Sequence, residues 1–318
     1  MRERRGAHSL NYFVMPITVK PSRPPASEKP QQVIEELRPG QSTELLKELH
    51  ILTREGKLNQ DTRRKLKQVY HLYHFIEPLL NEVLAANPAA TLADHGAGKS
   101  YLGFILYDLF FNVAHKREKT AGHIYGIETR AELVEKSRAL ARRLGFDRMS
   151  FLNLSVQEAT TSPDLPQKVD IVTALHACDT ATDDAIAFGL VKNAQYMVLV
   201  PCCQAEVAGV LKRSRALNLA KTPLAELWRH PLHTREFGSQ ITNVLRCLQL
   251  EASGYNVTVT ELVGWEHSMK NELILASRPA RHNDARTRDA QARLQQVLAE
   301  LGLGELTLRF SVSASVAA

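Results

Sequence analysis

The stretch that decides the fold of this 318-residue chain is Ala93-Asp94-His95-Gly96-Ala97-Gly98-Lys99-Ser100. Read from Ala93, it fits the end of a phosphate-binding loop in which Lys99 reaches terminal phosphates and Ser100 a magnesium ion. Read from Asp94, it is an acid-x-Gly-x-Gly turn whose glycines let the backbone bend tightly against a ligand. In that second frame the acid lies just beyond a strand's carboxyl end, where it can hold a hydroxyl or a cationic group.

The ends of the later strands favour the second frame. A triphosphate site also needs an apolar strand that ends in a magnesium-holding Asp, but Ile171–Leu175 and Tyr196–Val200 lead into His-Ala-Cys and Pro-Cys-Cys. By contrast, the short run His123–Ile127 ends in Glu128. That offset is roughly the one at which an open α/β sheet places a carboxylate on a ribose diol.

An acidic glycine turn followed by an acidic second strand resembles the Rossmann-like enzymes that depend on S-adenosylmethionine. The resemblance implies a methyltransferase whose cofactor, S-adenosyl-L-methionine, is held by Asp94, Gly96, Gly98 and Glu128. Other interpretations stay open from the residues alone. The first frame would make the chain a P-loop-like ATP or GTP hydrolase using Lys99 and Ser100. The glycines could also be ordinary turn residues, and Glu128 could serve only the positive end of the next helix.

Composition and charge limit the class of protein. The chain is 44% hydrophobic, which suffices for one substantial core with additions. It has no run near the ~20 apolar residues of a membrane helix, and its start lacks the apolar stretch of a secretory signal. Its four cysteines form no disulfide framework. We therefore expect a cytoplasmic protein with no membrane partner, while a net charge of +6 permits a polyanionic one.

Hydrophobic periodicity predicts an α/β domain with an extension at each end. Residues 1–40 predict a flexible arm, residues 41–88 a helical extension, and residues 89–280 the enzyme domain. The domain is predicted to be a Rossmann-like doubly wound sheet, mostly parallel with an antiparallel edge hairpin. Its strands are expected near 90–94, 123–127, 149–154, 170–175, 196–200, Asn256–Val263 and Glu272–Ser277, and its helices near 99–114, 129–144, 182–194, 204–220 and 239–252. Residues 281–318 predict a helix at 284–301 and a possible strand at Glu305–Val312.

Side chains with thiol or imidazole chemistry follow the fourth and fifth predicted strands: His176, Cys178, Cys202 and Cys203. In a sheet of order 3-2-1-4-5 these strand ends face the cofactor loop. Such groups suit zinc, but adjacent cysteines rarely chelate one tetrahedral ion and no Cys-x-x-Cys spacing is present, so we expect no metal. A thiolate could instead add to a pyrimidine ring and activate carbon 5 for methylation, although the flanking motifs of those RNA enzymes are absent. We favour a packed wall around the methyl donor, with His176 as the proton acceptor or, equally, as a histidine that only caps a helix.

The adenine contact is expected at the end of the third predicted strand. In the broad class of S-adenosylmethionine enzymes, a polar or acidic side chain at this place accepts from the exocyclic amino group of adenine. Gln157 or Glu158 could do so here. Ordinary helix capping is an equal alternative, because Ser, Gln and Glu before a helix are also capping residues.

A closer resemblance rests on several motifs taken together: Asp94-His95-Gly96-Ala97-Gly98-Lys99-Ser100-Tyr101-Leu102, Ala174-Leu175-His176-Ala177-Cys178-Asp179, Pro201-Cys202-Cys203, Thr242-Asn243-Val244-Leu245-Arg246 and Lys270-Asn271. Across about residues 64–278 they look like the methyltransferase-domain family that includes the methyltransferase-like 25 proteins and the glutathione S-transferase C-terminal-domain-containing protein. The resemblance implies a class I S-adenosylmethionine fold and methyl transfer. It implies no particular substrate.

Only charge indicates the methyl acceptor. The run Arg63-Arg64-Lys65-x-Lys67, followed by Tyr70, His71, Tyr73 and His74, could form a basic and aromatic face that grips phosphates and stacks a base. A solvated helix face is the simpler interpretation, both here and for Lys212-Arg213-Ser214-Arg215. If the basic run does bind a substrate, RNA is the first candidate for the methyl acceptor and a protein side chain the second. A non-catalytic RNA-binding protein is the remaining alternative.

Overall fold

The computed structural model describes residues 36–114, 122–175, 177, 179–201, 204–214, 221–262 and 272–311. Residues 1–35, which make up most of the predicted arm, lie outside the described residues. So do all four predicted residues of the methyl-transfer site, His176, Cys178, Cys202 and Cys203, and the Lys270-Asn271 motif.

A sheet of seven strands forms the centre of the described structure. The strands are β1 (Thr91–His95), β2 (His123–Ile127), β3 (Met149–Leu152), β4 (Ile171–Leu175), β5 (Tyr196–Val200), β6 (Asn256–Glu261) and β7 (Glu272–Ser277). Their order is β3-β2-β1-β4-β5-β7-β6, with β1 to β5 parallel and β7 antiparallel to both of its neighbours. This topology confirms the predicted Rossmann-like sheet with an antiparallel edge, and its switch point lies between β1 and β4.

Helices flank the sheet. They are α1 (Thr43–Glu48), α2 (Gln60–Ala86), α3 (Tyr101–Leu106) with a π-helical continuation (Tyr107–Ala114), α4 (Ala131–Leu144), α5 (Val156–Thr161), α6 (Ala181–Val191), α7 (Glu206–Ser214), α8 (Pro231–Ala252) and α9 (Asp284–Glu300). The central strands β4 and β5 are almost wholly buried, as expected for parallel strands covered on both faces. Within the described ranges, no helix has both the length and the apolarity needed to cross a membrane.

The long helix α2 packs beside the sheet. It begins at a capping box in which the Asn59 side chain accepts from the Thr62 N–H at 2.9 Å. Near its end, the Tyr196 hydroxyl donates to Glu82 Oε1 at 2.6 Å and ties α2 to the first residue of β5. The helix also contacts α3, and after four further residues the chain enters β1, so α2 runs alongside the sheet and ends near the amino ends of the strands.

The sequence did not predict the first turns of α8. The helix was expected from residue 239 but begins at Pro231, a residue whose fixed φ suits the first helical position. Residues 231–233 are exposed, so the first turn of α8 lacks an apolar stripe that would signal a helix. The short helix α5 and a 3-10 helix at Pro223–Trp228 were also not predicted, since both are only six residues long.

The predicted strand at Glu305–Val312 is wrong for its described part. Residues 305–311 are a 3-10 helix and turns. The reason is the spacing of the apolar residues Leu303, Leu306 and Phe310, which are three and four positions apart and pack together against α8 and α9. This spacing suits a helical turn, whereas a half-buried strand needs alternation.

Candidate active site

The turn after β1 has the backbone that an acid-x-Gly-x-Gly motif predicts. Gly96 and Gly98 have φ of +65° and +58°, in the left-handed region that favours glycine. A Cβ at either position would meet nothing closer than 3.7 Å, so backbone conformation rather than crowding selects glycine here. The Ala97 N–H donates to the Ile127 carbonyl at 3.0 Å, which fastens the turn to the end of β2.

Asp94 is a buried acid beside this turn. Its side chain is 2% exposed, and its Oδ1 accepts a hydrogen bond of 2.8 Å from the Thr173 hydroxyl on β4. Burial raises the pKa of Asp94 to about 7, and the bond from Thr173 opposes this only in part. Within the described residues, no cation forms an ion pair with Asp94. An uncompensated buried carboxyl group at a sheet's switch point suits a ligand that brings a hydroxyl or a positive charge.

Glu128 follows β2 and is engaged by the protein itself. It is 7% exposed, and its Oε2 accepts from the Gly98 N–H at 2.8 Å. Its Oε1 accepts from the N–H and Nε of Arg130, both at 3.0 Å. Burial opposes ionisation, but the bonds from Arg130 and Gly98 outweigh it and lower the pKa of Glu128 to about 2. The carboxylate therefore holds the glycine turn, and a ribose diol would have to share it with Arg130.

The register of the sheet brings the two acids to one edge. Asp94 pairs with Gly126 and His95 with Ile127, so Glu128 stands level with Gly96. Neighbouring strands lie ~4.8 Å apart. Gly126 keeps this corner open for Phe151, because a Cβ at Gly126 would lie 2.6 Å from the Phe151 ring.

Sequence reasoning missed a histidine next to Asp94. His95 is 5% exposed, its ring lies 5.5 Å from the Phe188 ring, and its Nε2 has no hydrogen-bond partner within the described structure. Burial lowers the pKa of His95 to about 4, although the nearby Glu128 charge opposes the shift. His95 is therefore neutral near pH 7. Its position inside the acid-x-Gly-x-Gly motif concealed it, since that motif leaves the second residue unspecified.

The end of β3 shows a capping arrangement. Glu158 Oε2 accepts from both the N–H and the hydroxyl of Ser155 at 2.7 Å, which completes a capping box at the start of α5. Gln157 is exposed in the first turn of the same helix. Asn153, which sequence reasoning did not single out, donates from Nδ2 to the carbonyls of Glu128 and Thr129 at 3.0 and 2.8 Å. It ties the end of β3 to the end of β2.

The loops after β4 and β5 are described only at their flanks. Leu175 pairs with Val200 in parallel register, so both loops leave the sheet at the same edge, next to β1. Asp179 has φ of +51° and accepts through Oδ1 from the N–H groups of Ala205 and Glu206 at 2.9 and 3.3 Å. The two loops are thus joined directly. Cys247 lies apart from them on α8, where burial raises the pKa of its thiol to about 12.

A buried polar network fixes these loops from behind. Arg246 on α8 is fully buried and donates from Nε and Nη2 to the two carboxylate oxygens of Asp183 at 2.7 and 2.9 Å. Its Nη2 also donates to the Asp179 carbonyl at 2.8 Å. These three bonds reach the loop after β4 and the start of α6 that follows it. The network explains part of the Thr242–Arg246 motif, which the sequence marked without assigning a role.

Asn243 extends the network to the loop after β5. Its Oδ1 accepts from Arg246 Nη1 and from Gln204 Nε2, both at 3.1 Å. Its Nδ2 donates to Glu272 Oε2, at the start of β7, at 2.6 Å. Ser239 donates to the other side of the Gln204 amide at 2.6 Å. Residues from α8 therefore hold both loops that flank the predicted transfer site.

The phosphate-binding frame finds no support in the described residues. Only Gly96–Ser100 separate β1 from α3. The Ser100 hydroxyl is buried, has no hydrogen-bond partner among the described residues and lies 2.6 Å from where a Cβ of Gly103 would be. It is therefore packed against its own helix. Lys99 is exposed and lines a groove with α1 and α4.

The comparison with protein families identifies the enzyme class. Residues 64–210 match the family model described as "Methyltransferase domain". The predictions of an S-adenosylmethionine-dependent methyltransferase and of its cofactor are thereby confirmed. The finer resemblance to methyltransferase-like 25 proteins stays a prediction.

Solved structures with similar folds include several methyltransferases. A putative O-methyltransferase from Klebsiella pneumoniae is 13% identical with a TM-score of 0.46, covering 77% of this chain and 94% of that one. A Podospora anserina methyltransferase bound to S-adenosylhomocysteine is 10% identical with a TM-score of 0.41, covering 75% and 88%. Fibrillarin from Aeropyrum pernix with S-adenosylmethionine is 12% identical with a TM-score of 0.35, covering 59% and 66%. The comparison with curated proteins found no match.

Proposed function

We propose that this enzyme transfers a methyl group from S-adenosylmethionine to RNA. The observation that carries the RNA assignment is a group of exposed basic side chains at the first turns of α2: Arg63, Arg64, Lys65 and Lys67. Cationic side chains near an active site bind phosphates and supply the sequence-independent part of nucleic-acid affinity.

The length and direction of α2 support a position of this basic group near the carboxyl ends of the strands, where the candidate active site lies. Glu82 lies level with the amino end of β5, and Arg64 is 18 positions earlier, or ~27 Å along a helix axis. The five residues of β5 rise only ~17 Å. Because α2 runs alongside the sheet, its first turns extend beyond the carboxyl ends of the strands, where cofactor and acceptor meet.

The aromatic half of the expected basic and aromatic face is used inside the protein. Tyr73 is 1% exposed, and its hydroxyl donates to Glu77 at 2.9 Å. The Arg38 guanidinium lies 4.6 and 5.2 Å from the ring centroids of Tyr73 and Tyr70. The proposed contribution of α2 to RNA binding is therefore electrostatic, without base stacking on these two rings.

We assign the cofactor to Asp94, Gly96, Gly98 and Glu128. Support comes from the buried, uncompensated carboxyl of Asp94 and from the open glycine turn that Glu128 fastens. The adenine contact remains assigned to Gln157 or Glu158. Glu158 can serve it only by giving up its bonds to Ser155.

In the proposed reaction, a nucleophilic atom of the acceptor attacks the sulfonium methyl carbon. A bond forms between that atom and the methyl carbon, while the carbon–sulfur bond breaks and its electron pair neutralises the sulfur. An acceptor proton, where one is lost, passes to His176 in this proposal, and Cys178, Cys202 and Cys203 shape the wall around the methyl group. Alignment of the acceptor with the methyl carbon supplies most of the rate enhancement, because the reaction needs little acid–base catalysis from the protein.

Transfer of labelled methyl groups into a fractionated cell extract tests the proposal. The wild-type chain should label material that ribonuclease destroys and protease does not. Asp94→Asn should label nothing, because the variant loses cofactor affinity. Label that protease removes would overturn the RNA acceptor in favour of a protein. If the wild-type chain transfers no label and Asp94→Asn binds RNA as tightly as wild type, the non-catalytic RNA-binding alternative is favoured.

A further inference from the structure

We propose that a groove beside the glycine turn binds one nucleotide of the acceptor RNA, with its phosphate on Lys99 and Lys136. This inference rests on the proposed RNA acceptor and adds a specific contact surface to it. The groove has a volume of about 410 Å³ and lies between the end of α1, the residue Lys99 and one face of α4.

The floor of the groove is apolar. Leu133, Lys136 and Leu140 recur at helical spacing and so lie on one face of α4. Both leucines are half-buried, and the buried Leu49 contributes from the end of α1. An apolar floor of this kind accepts the face of a base, which is tolerant of sequence.

The rim of the groove carries excess positive charge. Its carboxylate, Glu48, is paired with Arg143 at 2.7 Å between Oε2 and Nη2. Lys99 and Lys136 are both exposed, and no carboxylate oxygen of the described residues lies within 4 Å of either ammonium nitrogen. Two unpaired ammonium groups above an apolar floor match the charge and the amphipathic character of a nucleotide.

The position of the groove connects it to the transfer site. Lys99 directly follows Gly98, whose N–H is bonded to Glu128. In the sheet, β1 is separated from β5 by β4 alone, or ~10 Å across two strand spacings. An RNA strand whose target base faces the loops after β4 and β5 can therefore reach the groove within a few nucleotides.

The test compares two double variants with the same change of charge. Lys99→Glu with Lys136→Glu reverses the charge of the rim, whereas Arg281→Glu with Arg288→Glu reverses two exposed arginines, one before α9 and one in its second turn. The probe is a fluorescein-labelled single-stranded RNA of about 12 nucleotides, within the usual site size of such surfaces. Binding is followed by fluorescence anisotropy as salt rises, and S-adenosylmethionine affinity by calorimetry.

We expect the rim variant to bind this RNA at least about tenfold more weakly and the arginine variant to bind within about twofold of wild type. The slope of log affinity against log salt should fall by about 0.7, which is the contribution of the one phosphate contact that is lost on a single strand. Cofactor affinity and melting temperature should stay at wild-type values. Lys99→Gln with Lys136→Gln, which removes charge without reversing it, should give a smaller loss in the same direction.

Two results would overturn the assignment of the groove while leaving the RNA acceptor in place. In the first, the rim variant binds RNA as tightly as wild type does, and the wild-type enzyme methylates RNA. In the second, wild type binds an acidic, leucine-containing peptide, and the rim variant loses this binding but keeps its RNA binding. That result would assign the groove to a protein partner. If the wild-type chain neither binds nor methylates RNA, both the groove assignment and the proposed acceptor are wrong.

Discussion

At the scale of single residues, the two acids of the site have opposite electrostatic states. Burial raises the pKa of Asp94, and among the described residues only the Thr173 hydroxyl donates a hydrogen bond that opposes the rise. Glu128 has a pKa lowered despite burial, because Arg130 and the Gly98 N–H donate to it. Within the part of the chain that the structure describes, Asp94 therefore has no positive partner, while Glu128 is committed to the shape of the glycine turn.

Replacing Asp94 should raise the free energy of unfolding and lower the affinity for the cofactor. Asp94→Asn keeps the shape of the side chain and an oxygen for Thr173, but it removes the buried charge. In the folded wild type the carboxyl keeps its proton up to a pKa of about 7, whereas the unfolded chain releases it near 3.8. Between these values the folded state binds more protons, so the contribution of Asp94 to stability falls as pH rises and reaches its minimum above about pH 7.

We therefore expect the free energy of unfolding of Asp94→Asn, measured with urea, to exceed that of wild type by on the order of 4 kcal/mol near pH 8 and to differ little near pH 4. Calorimetry should show at least a tenfold loss of S-adenosylmethionine affinity in the same variant, or about 1.4 kcal/mol. A stability difference independent of pH would contradict the buried charge. Unchanged cofactor affinity would contradict its role.

Variants of Glu128 and Arg130 separate the effect of the Glu128 carboxylate from the effect of its ion pair. Glu128→Ala removes the acceptor for the Gly98 N–H and should weaken cofactor binding by at least about tenfold. Arg130→Ala leaves that bond in place and frees Glu128 Oε1 for the ribose, so cofactor affinity should be kept or rise. Calorimetry with S-adenosylmethionine measures both. Equal losses in the two variants would show that the ion pair, rather than the carboxylate alone, is needed.

At the scale of elements, α8 organises the loops of the transfer site. It crosses α7 so closely that a Cβ at Gly238 would lie 2.6 Å from both Cα and Cβ of Ala208. This approach lets Ser239 and Asn243 reach Gln204. The sequence predicted α8 only from residue 239, since the earlier turn is exposed, and a lone glycine gave no sign of a close helix crossing.

A pair of glycine substitutions tests this crossing. Gly238→Ala should destabilise the protein by about 1–3 kcal/mol, because overpacking outweighs the gain in helix propensity. Gly209→Ala in α7 is the matched control. A Cβ there meets only the Arg213 guanidinium at 3.6 Å, so this variant should gain up to about 1 kcal/mol from propensity alone. Urea unfolding measures both changes, and a stabilising Gly238→Ala would disprove the close packing.

Arg246 should be the most sensitive polar residue of α8. Arg246→Met leaves Asp183 buried without its partner and should cost about 3–5 kcal/mol in the free energy of unfolding. Arg293→Met on α9, which breaks exposed pairs with Asp289 and Glu251, should cost less than about 1 kcal/mol. Urea denaturation compares the two. Equal costs would mean that burial of the Arg246 pair has no energetic weight.

At the scale of the whole molecule, the sequence predicted what depends on local pattern. All seven strands and the sheet class follow from apolar runs such as Ile171–Leu175 and from turn residues between them. The predicted strand at Glu305–Val312 failed because its packing partners, α8 and α9, are far away in the chain. The same holds for the site. Asp94 and Glu128 were predicted as site residues from their motif, and Arg130 is a local partner of Glu128 two positions later. Thr173 and the Arg246 network depend on tertiary contacts that no local pattern encodes.

The long sequence separation between Arg246 and the loop it holds has a consequence for biosynthesis. The guanidinium binds the carbonyl of a residue 67 positions earlier. At about 5–20 residues per second, a ribosome needs ~3–13 seconds to add the intervening chain. The strands of the parallel sheet are therefore all synthesised while the catalytic end of the nascent enzyme still lacks its brace, and activity should appear only once α8 has been made and has docked.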